Sequence, residues 1–350
     1  MRIAQVAPLF ESVPPISYGG TERVVSYLTE ALVAEGHEVT LFATEDSVTR
    51  ARLVACCPRA LRSDKSCQDP LAHRVRQLEL VFRLAPQFDL IHFHVDFLHF
   101  PLSRRQDTPH VSTLHGRLDI PDLIPLYRQF PDVPVVSISD FQRRPLPWLD
   151  WRGTVYHGLP LDLYRPGAGD GGYLAFLGRF SPEKRVDRAI QIAEQAGMPL
   201  KIAAKTDPQD NPYYEEVVRP LLKRPFVDYI GEIGEAEKEQ FLGRARALLF
   251  PIDWPEPFGL AMIEALACGT PVIAFRQGSV PEILEEGQTG FVVDTLEEAI
   301  AAVPRIDSLS RSYCRESFAD RFSVEAMTEG YLAVYRDVVA SRRASSARAA

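Results

Sequence analysis

The 350-residue chain has few cysteines and no pattern among them. Cys56, Cys57, Cys67, Cys268 and Cys314 form no CxxC pair, and their odd number suits reduced thiols, not a disulfide framework or a metal-ligand set. No apolar run approaches the roughly 18 to 20 residues needed to cross a bilayer. The opening MRIAQVAPLF has neither the length nor the cleavage site of a secretion signal, so the expected location is the cytoplasm. Positive charge is not in excess: the net charge of -8 leaves no electrostatic footprint for nucleic acid. There is no GxGxxG after the first strand and no Walker loop, which removes the main support for dinucleotide and ATP binding. No tandem repeat of 20 to 50 residues is present, and no DxD motif suggests a bound divalent metal.

What is there is an ordinary soluble composition, 46% apolar and 25% charged, on a chain long enough for two domains of roughly 150 residues. IAQVAPLF and VTLFAT read as buried strands. TERVVSYLTEALVAEG places Val24, Val25, Leu28, Ala31 and Leu32 on one helical face. DLIHFH, VSTLH and VVSIS continue the strand series. After the Pro/Gly-rich HGLPLDLYRPGAGDGG the pattern restarts with YLAFLG, LKIAAK, FVDYIG, ALLFPI and PVIAF, each followed by a helical stretch or a turn. Such β-α-β repetition predicts an α/β fold of two parallel-sheet, Rossmann-like lobes with right-handed crossovers. The expected division is residues 1–163, 164–322, and a terminal helix within 323–350 that returns to the first lobe and ends in a frayed tail, SRRASSARAA.

The chemistry concentrates in two places. PEPFGLAMIEALACGTPVIAF sets Glu256 and Glu264 in an apolar stretch with no Lys or Arg before Arg276, and buried carboxylates need partners. Ionised carboxylates suit vicinal hydroxyls. Gly259 is expected to turn the chain into a helix ending at Cys268, with Gly269 as its left-handed terminator. In FLGRFSPEKRVDRAI, Ser181 and Pro182 predict a helix start, with Arg179 before it and Lys184 in its first turn. Cations at the positive end of a helix dipole imply an anion such as a phosphate. A solvated basic turn with Arg179 paired to Glu183 is the plainer alternative. A molecule with phosphates in its middle and hydroxyls at both ends, a nucleotide sugar, would satisfy all four side chains.

In these motifs the sequence resembles the retaining glycosyltransferases of family 4 with the two-lobed GT-B fold. YGGTERVVSYLTEALVAEGHEVTLFAT is similar to that family's first loop and helix, LGRFSPEKRVDRAI to its diphosphate turn, and PEPFGLAMIEALACGTPVIA to its paired-glutamate signature. The resemblance implies two lobes facing a central cleft. It implies that Glu264 holds the ribose, Glu256 the transferred sugar, and Arg179 and Lys184 the diphosphate. The backbone of Phe258, Gly259 and Leu260 would approach the donor, Gly19 and Gly20 the diphosphate, and His115 the donor sugar. Read alone, His115 is a strand-end histidine and Gly19–Gly20 a turn before a helix. The departures are HGLPLD, with His157 and Asp162, and AAKTD, where Lys205 is a weak additional candidate.

The implied activity is transfer of a hexose from a nucleotide sugar, UDP-glucose-type ahead of GDP-mannose, to a hydroxyl acceptor that is a sugar, a lipid-linked sugar or a small molecule. No cofactor or metal is expected, because Arg179 and Lys184 supply the positive charge. The base would be read near YIGEIG, residues 229–234. Asp96 or Asp119 would be the base of an inverting alternative. An epimerase or hydrolase, or a silent sugar-nucleotide binder, are the competing classes. His92 and His94 lack a third metal ligand and read as structural or acceptor-lining. In FQRRPLPWLDWR, Pro145 and Pro147 spoil an amphipathic helix, so packing is favoured over membrane contact by Trp148 and Trp151.

Overall fold

A computed structural model describes residues 1–16, 19–206 and 211–349. Two compact units divide the chain: residues 1–160 with 324–350, and residues 161–323. Among the described residues of the first unit, seven strands form one parallel sheet. They are β1 (Arg2–Val6), β2 (Glu38–Thr44), β3 (Arg52–Cys57), β4 (Leu90–Phe93), β5 (His110–Thr113), β6 (Val135–Ser137) and β7 (Trp151–Thr154). Their order is β3-β2-β1-β4-β5-β6-β7. The second unit holds β8 (Leu174–Phe180), β9 (Leu200–Thr206), β10 (Val227–Gly231), β11 (Ala247–Phe250), β12 (Val272–Phe275) and β13 (Gly290–Val293) in the order β10-β9-β8-β11-β12-β13. Every ladder is parallel.

Four strands, LIHF, ALLF, VIAF and GFVV, are buried along their whole length. A strand covered on both faces cannot alternate apolar with polar residues, and these do not. The helix Val186–Ala196 covers one face of the second sheet with Val186, Ala189, Ile190, Ile192 and Ala193. Burying an Ile such as Ile190 contributes about 1.5–3 kcal/mol, and truncation to Ala at this fully buried position costs about 2–5 kcal/mol.

Three strands, β3, β7 and β13, lie outside the series expected from sequence. RLVACC has a polar start and a half-exposed middle, and WRGT is only partly buried, so neither shows a clear pattern. The helix Gly20–Ala34 buries Val24, Val25, Leu28 and Leu32 on the expected face, with Glu22 and Arg23 also buried.

The terminal helix, Val324–Ala349, belongs to the first unit. Tyr335 reaches Gln5 on β1 and His92 on β4, and Tyr331 reaches Thr113 on β5. The helix extends to Ala349.

Candidate functional site

In both sheets the strand order reverses once, between β1 and β4 and between β8 and β11. Strands on either side of such a point send their following loops in opposite directions, which opens a crevice at their carboxyl ends. The residues singled out from sequence collect at these two points, each within its own unit.

In the second unit, Arg179 is the penultimate residue of β8 and donates to Glu183 at 2.7 Å. Lys184 lies on the following turn and is ion-paired with Glu256 on the loop after β11. Trp254 Nε1 also donates to Glu256 Oε2 at 2.9 Å, and its ring lies 4.8 Å from Lys184 Nζ. The two loops are tied by Asp253 N to Glu183 O at 2.9 Å and by Arg185 to Asp253 at 2.7 Å. The basic turn and the first glutamate, 72 residues apart, therefore form one cluster.

No helix begins at Ser181 and Pro182. The helix starts at Val186, because Arg185 adopts a left-handed conformation, φ 51 and ψ 51, that breaks the helical path. Residues 181–184 make a separate turn closed by Lys184 N to Ser181 O at 3.0 Å, and Ser181 is buried without capping the helix. Lys184 is thus not in a helical first turn. That position holds Asp187, paired with Arg185, so the helix dipole already meets its own carboxylate.

The segment around the glutamates follows the expected course. Gly259, at φ 86, precedes the helix Leu260–Ala267, and Gly269, at φ 70, follows it. Phe258 is buried and Leu260 partly so. Glu264, 4% exposed, receives Lys238 Nζ at 2.7 Å from the helix Glu235–Arg244. Glu235 lies 3.7 Å from the same ammonium. The Glu256 loop is backed by Gly278 and Ser279. Ser279 N donates to Glu256 O at 3.0 Å and its hydroxyl to Phe258 O at 2.8 Å. A Cβ on Gly278, at φ 59, would lie 2.2 Å from Glu256 O, so no larger residue fits without moving the loop. Lys205 stands opposite Arg179 on β9, partly buried.

In the first unit the switch point holds a set of rings. Gln5 on β1 stands beside His92 on β4. His94, just past β4, contacts Gln5 Oε1 through Nε2 at 2.8 Å and His115 Nε2 through Nδ1 at 2.9 Å. His92 contacts Tyr335 and Thr113, each at 2.7 Å. His157 stacks on His115 with centroids 5.3 Å apart. Burial, and then the neighbouring rings, hold His92, His94 and His157 well below the usual imidazole range. Burial pushes His115 down to about 3. The rings are therefore neutral near pH 7. Among the described residues, no group of three His, Cys, Asp or Glu is arranged to hold a metal ion.

Gly19 and Gly20 lie at the start of the helix Gly20–Ala34, and Tyr18 before them is outside the described residues. Asp119 is clamped by Arg117 at 2.7 Å, which with its hydrogen bonds holds its carboxyl below the usual range. Asp96 sits at φ 55, and burial raises its carboxyl against the smaller opposing effect of Arg74.

Residues 167–326 match the family described as glycosyl transferases group 1, and residues 18–153 match glycosyltransferase family 4. The chain belongs to these glycosyltransferases. This family member has the GT-B fold: it superposes on sucrose-phosphate synthase from Thermosynechococcus elongatus with a TM-score of 0.80 and 20% identity, over 97% of this chain and 100% of that one. It superposes on Anabaena Alr3699/HepE in complex with UDP-glucose with a TM-score of 0.71 and 16% identity, over 97% and 100% of the two chains. In sequence it is 28% identical to the D-inositol 3-phosphate glycosyltransferase of Mycolicibacterium smegmatis, over 56% of this chain and 50% of that protein. The α-maltose-1-phosphate synthase of the same organism is also 28% identical, over 53% and 52%. The alignments span about half the length of these curated relatives.

The residues missed in this glycosyltransferase from sequence are Lys238, Gln5 and the Tyr331–Tyr335 pair. Lys238 sits among the alternating charges of GEAEKEQF and carries no local signal. Gln5 does carry one, as the lone amide in the apolar run IAQVA.

Proposed function

We propose that this chain is a retaining glycosyltransferase that moves a hexose from a nucleotide sugar, UDP-glucose-type before GDP-mannose, to a hydroxyl acceptor, without a divalent metal. The observation that supports this reading most is the pairing of both buried glutamates with lysines at the switch point of the second unit. A site with two carboxylates and adjacent Arg179, Lys184 and Lys238 offers acceptors for hydroxyls and donors for a diphosphate. Apolar surroundings alone would not retain these charges.

Breaking the anomeric C–O bond builds positive charge on the sugar and negative charge on the leaving diphosphate. Arg179 and Lys184 stabilise the latter in the transition state. Their carboxylate partners in the free protein, Glu183 and Glu256, keep them oriented, and donor binding exchanges those contacts for phosphate and hydroxyl oxygens. Glu264 takes the ribose hydroxyls and Glu256 those of the transferred sugar. Gly19, Gly20 and the Phe258–Leu260 backbone approach the diphosphate and sugar, and His115 faces the sugar.

A thermal-shift screen of nucleotide sugars tests the donor, since ligand at 100 times its dissociation constant adds about 2.7 kcal/mol. Product analysis with the best ligand then tests the reaction. Acceptor-dependent release of nucleoside diphosphate with the anomeric configuration kept is expected. An epimerised donor, hydrolysis alone, or no turnover with any acceptor would overturn the reading.

A further inference from the structure

We infer that Gln5 and His94 are positioning residues that hold His115 in the tautomer protonated at Nε2, leaving its Nδ1 lone pair to accept a hydrogen bond from a hydroxyl of the donor sugar. The ligand in this statement rests on the proposed function. The tautomer does not.

The chain of donation starts at β1. Gln5 Nε2 donates to the Tyr335 hydroxyl at 3.0 Å, which turns Gln5 Oε1 toward His94 Nε2 at 2.8 Å. An amide oxygen only accepts, so His94 carries its proton on Nε2. A neutral imidazole has one N–H, so His94 Nδ1 is an acceptor. Its partner is His115 Nε2 at 2.9 Å, which must donate. His115 then has no proton left for Nδ1. That atom is buried and has no hydrogen-bond partner among the described residues.

The rest of the network runs in the same sense. The Tyr335 hydroxyl, accepting from Gln5, donates to His92 Nδ1 at 2.7 Å, and His92 Nε2 donates to Thr113 Oγ1 at 2.7 Å. Thr113 in turn donates to Tyr331 at 3.0 Å. Reversing every bond would leave His115 with a buried N–H at Nδ1 and nothing to receive it. An orphaned buried donor is rarer and costlier than an under-used acceptor. Burial also keeps the ring neutral, so His115 adds no positive charge beside a sugar that is itself becoming positive.

The test is a long-range proton–nitrogen correlation spectrum of the full chain, labelled with 15N-histidine, at pH 7.5. His115 is assigned by difference with the His115→Phe variant. In the free wild-type protein, His94 and His115 are expected to show protonated Nε2 and unprotonated Nδ1, with a coupling across the hydrogen bond from His115 Nε2 to His94 Nδ1. A protonated Nδ1 on His115 overturns the inference without reference to any ligand. Gln5→Met, which keeps the volume and removes the acceptor, should release the His115 tautomer, whereas Gln5→Glu should retain it. A fixed tautomer in Gln5→Met would overturn the role of Gln5. Adding UDP-glucose, but not UDP, should shift His115 Nδ1. If the tautomer is as stated and UDP-glucose binds without that shift, the contact of His115 with sugar fails while the tautomer relay stands. If the protein turns over UDP-glucose but His115 carries its proton on Nδ1, the relay fails and the function stands. Gln5→Met should also bind UDP-glucose about tenfold more weakly with UDP affinity unchanged, the scale of one lost hydrogen bond.

Discussion

Lys238 Nζ lies 2.7 Å from Glu264 Oε1, with 13% and 6% of the two side chains exposed. The second glutamate is thus neutralised from a different helix, 26 residues earlier in the chain. Removing one partner of such a pair leaves the other charge buried and alone, at about 3 kcal/mol. Lys238→Ala is expected to destabilise the protein by that order, and Glu264→Gln in the same background to recover part of it. Denaturant titration of both single variants and the double gives the coupling. Additive losses would mean the pair is not energetically joined.

The two glutamates should fail in different ways. Under the proposed assignment Glu264→Gln should weaken UDP and UDP-glucose alike, because both carry the ribose. Glu256→Gln should spare free UDP, since Lys184 loses a competing carboxylate, and should damage turnover of the intact donor. A charged hydrogen bond is worth about 1.5–3 kcal/mol, so effects of tenfold or more are expected in the affected step. Calorimetry with UDP beside kinetics with UDP-glucose separates the two. Equal loss of UDP affinity in both variants would reverse the assignment.

Arg179 and Lys184 differ in what they leave behind. Arg179→Ala releases the partly exposed Glu183, so turnover should drop by about 100-fold with the fold intact. Lys184→Ala should cost turnover and stability together, because Glu256 is only 8% exposed. EDTA should leave most of the activity in place. Complete loss restored by magnesium, or full activity in both variants, would remove the protein cations from the proposed mechanism.

The parallel-sheet alternation was readable because strands buried on both faces appear as short apolar runs with turn residues between them. β3 and β7 escaped because partial exposure blurs that signal. The false helix start at Ser181 shows why local chemistry misleads: Ser and Pro were in the right places, but Arg185 takes a left-handed turn held by Asp187 and Asp253. The glutamates stood out because carboxylates in an apolar run demand an explanation. Lys238, the partner of Glu264, did not, since a lysine on a helix looks the same whether it faces water or a buried carboxylate. Pairing across 72 and 26 residues is a property of the fold.

The last prediction concerns acid. His92, His94, His99, His110, His115 and His157 all belong to the first unit, and burial holds each below the usual imidazole range, His110 at about 4 and His115 at about 3. In the unfolded chain the same side chains titrate near 6.5. Below that pH the unfolded state binds protons that the folded state refuses, so stability falls as pH falls and is fully present only above about 7. Each such histidine contributes about 1.4 kcal/mol per pH unit in this window, and two of them about 2.7 kcal/mol. The second unit has no histidine, so its response should be smaller. Trp254 belongs to the second unit and Trp148 and Trp151 to the first, which lets fluorescence report each unit from the appropriate Trp→Phe variants. Denaturant midpoints at pH 7.5 and 5.5 should fall together with pH for Trp148 and Trp151, and much less for Trp254. An unchanged first-unit midpoint would mean that the histidines are already protonated in the folded state, and the neutral hydrogen-bonded network drawn from the structure would be wrong.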